Sequence, residues 1–260
     1  VSVTFEGTER GAIVAADGSW TVTFTGAEVP VGTYTSVVAI SATDAAGNTS
    51  SISDTFLVDT QSPDAPNIES FVKGEGGLRG FGIEGTSDDI SVSEFVEGAD
   101  TATPVDLGSG GFENPITGEL SFGFANGHEV PNGSHLVVTA TDAAGNTNGT
   151  FFVLDDSAGA SAIDVTAGAL DGFNVGAIDL ELFAEEANIT LNAADIAALS
   201  NNDNALIVNG KSDDTINLNG TATAVGAQVI DGHDYTVYDV DSSAAQLIIR
   251  DDLEFNQTVV

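Results

Sequence analysis

The sequence predicts an all-β protein: tandem β-sandwiches followed by a β-rich C-terminal domain with one short helix. Three observations predict it. The first is a motif, TDAAGNT, that occurs at residues 43–49 and again at 141–147, 98 positions apart. The second is the company it keeps. Each copy follows a Val-Pro turn and an alternating apolar stretch (Val38, Ile40, Ala42; Val138, Ala140) and precedes a second such stretch that ends in an acidic residue. Period-2 alternation marks a strand with one buried face, and Asp-Ala-Ala-Gly-Asn between two strands is turn chemistry. The third is spacing. Between residues 67 and 156, short apolar stretches alternate with glycine and asparagine turns at the interval typical of a sandwich. A repeat near 100 residues is a whole domain, so the chain divides into 1–60, 61–156 and 157–260.

Taken in order, Val1–Phe5 is a short strand, and Ala12–Ala16 and Ser19–Thr25 form a hairpin around Asp17-Gly18. Trp20 alternates within it and is expected in the core. Tyr34 is placed for a tyrosine corner, its hydroxyl bonded back to nearby backbone; His135 is its structural stand-in in the second copy. Val1-Ser2-Val3 aligns with Ile90-Ser91-Val92, and some two dozen further residues precede that point in the second copy. The first module therefore lacks its first strands. Two explanations stay open: the sequence starts inside a domain, or a neighbouring copy donates a strand. Residues 59–67 (DTQSPDAPN) are a proline-stiffened linker.

The second module has seven expected strands, at 67–72, 80–84, 90–95, 103–107, 119–124, 135–141 and 149–154. Its expected core is Phe71, Phe81, Phe95, Phe122, Phe124, Phe151 and Val153. The glycine-rich 74–82 lacks a following helix and a P-loop lysine, so it is a turn and not a phosphate cradle. Residues 155–160 mark the second boundary. Beyond it, Asn192–Ser200 reads as a helix with Asn192 as N-cap and Asp195 in the first turn. Strands are expected at 177–183, 205–208, 215–218, 235–238 and 246–249.

Forty acidic residues against five basic ones give a formal net charge of −35. Such a chain repels nucleic acid and anionic lipid and repels itself unless salt or bound cations screen it. There is no cysteine to staple it and no methionine. No apolar run suits membrane insertion and no signal-peptide pattern occurs; the sequence reads as a segment of a longer chain. It carries no H-E-x-x-H, no G-x-S-x-G, no Walker motif and no cysteine nucleophile, and the three histidines have no recognisable partners. The expectation is a protein that is not an enzyme.

The quoted motifs resemble the bacterial Ig-like modules of large, repetitive, type I-secreted surface adhesins of the biofilm-associated and repeats-in-toxin kind. The matching residues are Asp17-Gly18-Ser19-Trp20, Pro30-Val31-Gly32-Thr33-Tyr34, Thr43–Asn48, and Val58-Asp59-Thr60 with Pro63. The resemblance is strongest over 1–66, good over 67–156 and weaker beyond. It implies Ig-like sandwiches, an extracellular or cell-surface location, and Ca²⁺ held between successive modules of one long chain. Ca²⁺ takes six to eight hard oxygen ligands. The resemblance makes Asp59 and Asp64 of the linker, Asp17 and Asp44 of the first module and Asp88 or Asp89 of the second the candidates. Asp142, Asp155 and Asp156 are their counterparts at the second boundary. The last domain has neither an EF-hand nor the repeats-in-toxin nonapeptide, so calcium is expected between modules and not in a β-roll. The implied role is attachment or biofilm cohesion. Two alternatives accompany it: a filament or layer subunit assembled with other copies by strand donation, and a module of the C-terminal domain that binds a surface glycan or protein.

Overall fold

In a computed structural model, residues 1–260 are described except 97, 109, 156–160, 167, 182–185, 201–203, 242 and 259–260. The chain forms two compact units, Val1–Gln61 and Ser62–Val260. The fold is all-β with one short helix, as the sequence predicts.

The N-terminal unit is one antiparallel sheet. It contains β1 (Ser2–Phe5), β2 (Thr8–Gly11), β3 (Thr33–Thr43) and β4 (Thr49–Asp59), in the order β2-β1-β3-β4. The TDAAGNT turn joins two eleven-residue strands paired from Thr33↔Asp59 to Thr43↔Thr49. The Asp17-Gly18 turn forms, with Ala15 N–H donating to the Ser19 carbonyl at 2.9 Å. The flanking residues 12–16 and 19–25 are not strands, contrary to the sequence reading. Trp20 is 38% exposed and outside any core. Alternation gives a segment a sticky face, but a strand also needs a backbone partner. The tyrosine corner does not form either: the Tyr34 hydroxyl is buried without a hydrogen-bond partner, and burial raises its pKa.

The C-terminal unit begins with the second copy. It contains β5 (Ile68–Lys73), β6 (Gly77–Ile83), β7 (Asp89–Val96), β8 (Thr103–Val105), β9 (Phe112–Glu113), β10 (Leu120–Gly123), β11 (Val130–Pro131), β12 (Ser134–Thr141) and β13 (Thr147–Leu154). All seven expected strands are present. One sheet runs β11-β6-β10-β9 with β5 on β6; the other contains β8-β7-β12-β13. Ile68, Leu78, Phe81, Ile83, Val92, Phe122, Phe124, Val130, Leu136, Val138, Phe152 and Leu154 fill the space between the two sheets. Of the expected core, Phe81, Phe95, Phe122, Phe124, Phe151 and Val153 are buried; Phe71 is partly buried against the cluster.

The sequence reading divides this unit at residue 156; the structure joins the two parts through one sheet. Strands β14 (Ser161–Ile163), β15 (Val175–Asp179), β16 (Ala187–Leu191), β17 (Ala205–Asn209), β18 (Thr215–Asn219), β19 (Ala222–Ile230), β20 (His233–Val240), β21 (Gln246–Arg250) and β22 (Glu254–Thr258) follow. β15 pairs in parallel with β13, and β17 and β21 continue that sheet. It reaches nine strands, β19-β20-β21-β17-β15-β13-β12-β7-β8. The chain visits a second, four-stranded parallel sheet, β14-β16-β18-β22, in alternation with it. Apart from the antiparallel hairpin β19–β20 on its edge, the last hundred residues are thus a two-sheet coil of parallel strands, as in β-solenoids. Both faces of β12 and β13 are consequently covered. Val138 and Phe152 face one core, while Val137, Phe151 and Val153 join Ile163, Ile189, Leu206, Ile216 and Leu247 in another. A strand buried on both sides loses its alternation, which is why Phe151-Phe152-Val153-Leu154 is continuously apolar.

The helix α1 (Ala193–Leu199) starts as predicted. The Asn192 side chain accepts from the N–H groups of Ala194 and Asp195, and Asp195 accepts from the Asn192 N–H. Two buried groups tie the coil together. Asp214 accepts N–H bonds from Ala187 at 2.9 Å and Lys211 at 2.7 Å, and burial raises its pKa. Arg250 meets Glu181 at 2.5 Å and Asp252 at 3.1 Å.

Candidate functional site

The two copies of the repeated turn are built alike. Asp44 Oδ1 accepts the N–H groups of Ala46 (2.9 Å) and Asn48 (2.8 Å), and Oδ2 accepts the Asn48 side-chain amide at 2.8 Å. Asp142 makes the same three bonds with Ala144 and Asn146, at 2.8, 2.9 and 2.8 Å. The Asn side chain is the first cause, and the backbone N–H groups a further one, that holds both carboxyls below the usual Asp range. Gly47 and Gly145 sit at φ +88° and +92°, where a side chain would be strained. These carboxylates are used to close hairpins. Asp17 is likewise turned inward, on Ser19 Oγ at 2.7 Å and Ser19 N–H at 3.0 Å, and these bonds lower its pKa. Asp59, at the end of β4, accepts from Thr33 Oγ1 at 2.7 Å and Gln61 N–H at 3.1 Å.

Within the C-terminal unit, Asp64 and Asp88 come together. With Asn67, Glu84 and Thr86 they line a cavity of about 200 Å³. Asp88 also accepts from Thr86 Oγ1 at 3.1 Å. Asp89 is the first residue of β7, opposite Thr141. Asp155 follows β13 and is half-buried, and Asp156 lies outside the described residues. The oxygen donors of this cavity are of the type Ca²⁺ takes. Even so, no three Asp, Glu or His side chains among the described residues come together as a metal-holding group. Asp64 and Asp88 belong to the C-terminal unit, and Asp17, Asp44 and Asp59 to the N-terminal unit.

A larger cavity, of about 490 Å³, is lined by the same residues 64–67 and Glu84 together with residues of the coil. Its floor is apolar (Ala177, Ala205, Ile207, Ile248) and its rim carries Glu84, Asp231, Asn209 and Gln228. Asn67 Nδ2 donates to Asp231 Oδ2 at 3.0 Å. Tyr235 Oη donates to Asn209 Oδ1, and burial pushes its pKa up to about 12. The segment is held from below: Asn148 Nδ2 donates to the Pro63 carbonyl at 3.0 Å and Thr150 Oγ1 to the Pro66 carbonyl at 2.5 Å. Residues 63–67, read as a linker, thus dock on β13. Glu69 nearby has its pKa raised by burial and by Glu119, Glu84 and Asp231. No local signal could have flagged this cavity, because its walls come from positions 64 and 248 and many between.

Of the histidines, His135 is 1% exposed, edge-on to Phe95 and Phe151, with Nδ1 accepting the Leu154 N–H at 3.3 Å. It is a core residue, as expected of a stand-in. His128 Nε2 lies 2.9 Å from Glu94. A comparison with protein-family models and with curated proteins finds no match to this chain.

Proposed function

We propose that this chain is a structural and adhesive segment of a large extracellular bacterial surface protein, serving attachment or biofilm cohesion. The observation that carries the reading is the repeated hairpin. The same seven residues, bonded in the same way, build a long two-stranded ladder in both units, and their aspartates are committed to that structure. Repetition of a stiff module is what a spacer needs; a catalytic site would gain nothing from it.

In this reading Ca²⁺ is the counter-charge. A formal net charge of −35 with five basic residues leaves strong self-repulsion that a divalent cation relieves, and the Asp64–Glu84–Asp88 cavity supplies oxygen donors at the start of the C-terminal unit. The test is thermal melting and small-angle scattering of residues 1–260 with Ca²⁺ or with chelator at moderate salt. The proposal expects a higher melting temperature and a longer, stiffer particle with Ca²⁺. Identical curves in the two conditions would remove calcium from the account. A glycan would be expected to seat on the larger cavity, whose lining carries no aromatic ring. Sugar sites commonly stack a ring, so the structural reading is preferred.

A further inference from the structure

The outer face of the parallel coil carries an apolar row that the coil's own core does not use. In β17 and β21, Leu206, Val208, Leu247 and Ile249 belong to the core, so the alternating Ile207 and Ile248 point away from it. Register aligns them: Ala177 pairs with Ile207, and Ile207 with Ile248, across three parallel strands. This row is the floor of the cavity of about 490 Å³. Two walls rise from it. One is the segment 64–67, held on β13 by Asn148 and Thr150. The other is the end of the β19–β20 hairpin, with Gln228, Ile230 and Asp231. Asn67 Nδ2 donates to Asp231 Oδ2 at 3.0 Å and so joins the two walls. The small side chains of Ala177 and Ala205 leave the space between them open.

The rim carries charge of one sign. Asp64, Glu84 and Asp231 line the cavity, and none of the five basic residues of the chain does. Burial first, and then Glu119, Glu84 and Asp231, raise the pKa of nearby Glu69, so the local field is negative. This combination narrows the occupant. An anion is repelled. Ca²⁺ needs six to eight oxygen ligands, and a floor of alanine and isoleucine offers none. An uncharged apolar molecule would cover the floor but strip water from carboxylates left without a counter-charge. A cation at the end of a short alkyl chain satisfies both surfaces: its methylenes lie on the isoleucines while its head stays among carboxylates and water.

We propose that this cavity binds a primary alkylammonium group of about four to six carbons, the chemistry of a lysine side chain or of a free alkylamine. The ammonium group sits at the rim beside Glu84 and Asp231, and the alkyl chain lies over Ala177, Ile207 and Ile248. The site goes beyond the structural role proposed above and does not depend on it, because all of its lining belongs to the C-terminal unit. A calcium ion in the smaller cavity would oppose the ammonium group through the shared Asp64 and Glu84.

The probes are n-propylammonium, n-butylammonium and n-pentylammonium chloride, titrated into the full chain 1–260 at low salt with chelator present, so that calcium plays no part. Binding is read by calorimetry and by the methyl resonances of Ala177, Ile207, Ile230 and Ile248. The expected result is one saturable site with a Kd of about 1 mM or tighter for the pentyl compound. Methyl shifts should be confined to the cavity, and affinity should rise about threefold for each added methylene. Hexanoate, of similar length and opposite charge, should shift nothing. Glu84→Gln combined with Asp231→Asn should weaken pentylammonium at least about fivefold. Both residues are exposed, and asparagine tolerates the left-handed backbone of position 231 (φ 49°), so an unchanged melting temperature is expected of the variant. Nα-acetyl-lysine methylamide distinguishes the two sources. Tighter binding than pentylammonium names a lysine side chain as the occupant, weaker binding names a free amine, and both support the proposal. It is overturned by the lack of a saturable response, or by equal binding of hexanoate or to the double variant. Affinity independent of chain length also overturns it, since that reduces the site to an acidic surface collecting counter-ions.

Discussion

The N-terminal sheet and the β7-β12-β13 sheet carry the same hairpin, turn and register, yet one is half-exposed and the other is buried on both faces. Val153 and Leu154 are fully buried; at the equivalent positions Thr55 is exposed and Phe56 is 41% exposed. The difference lies in what covers them. β12 and β13 are packed between the β5–β6–β10 sheet and the parallel coil of the last hundred residues. Within the N-terminal unit β3 pairs with β1 and β4 and Phe24 packs on Phe5, while both buried core clusters of the described residues lie in the C-terminal unit. A hairpin motif therefore specifies a ladder and a register, while its stability comes from the layers added to it.

That comparison can be broken first by truncating matched positions. Leu154→Ala should cost about 2–5 kcal/mol, the range for a buried leucine, and Phe56→Ala under about 1.5 kcal/mol, because much of its surface already meets water. Urea unfolding followed by Trp20 emission for the N-terminal unit and by circular dichroism for the whole chain would separate the two. Equal costs would mean that β4 is covered after all.

A smaller effect sharpens the view of the coil. Asp214→Ala leaves the Ala187 and Lys211 N–H groups without their acceptor, a loss of about 1–3 kcal/mol. The pH dependence has a definite sign. Burial raises the folded-state pKa of Asp214 above its unfolded value of 3.8, so the folded state holds the proton more tightly. The contribution of this group is most favourable below 3.8 and declines as pH rises through the folded value. Asp214→Asn should remove that slope from a stability–pH profile measured by thermal melting.

The turn aspartates titrate in the opposite sense. Asp44 and Asp142 have folded pKa values below 3.8. Their contribution is complete above 3.8 and is lost as pH falls through the folded values. Asp44→Ala and Asp142→Ala should each lower the melting temperature by less than Leu154→Ala does. Asp44→Ala should loosen its hairpin more, since no second core holds β3 and β4; amide exchange across 33–43 and 49–59 would show it. The smallest effect expected is from sodium chloride, which should raise the melting temperature by a few degrees by screening the acidic surface.

The strands of both hairpins, the seven-strand pattern of the second copy and the Asn192 cap were legible because each is written in local alternation, turn residues or a single capping side chain. Three features were not. Trp20 has the alternation of a core strand, but burial depends on a partner strand that alternation cannot reveal. The boundary at 156 disappears because β13 pairs in parallel with β15 across the intervening β14, a contact that local sequence does not announce. The coil also hides in short strands such as Ser161–Ile163, too brief to show a period. Of the candidate ligands, Asp64 and Asp88 do share a cavity, while Asp17, Asp44 and Asp142 belong to turns, where aspartate is as useful for hydrogen bonding as for binding a cation.

Amide hydrogen exchange of the full chain without calcium is the most direct test of this account. Residues 134–141 and 147–154 should exchange only with global unfolding, and 33–43 and 49–59 should exchange faster by orders of magnitude through local opening. Equal protection in the two hairpins would contradict the account, because it would mean that the N-terminal sheet is as well covered as its twin.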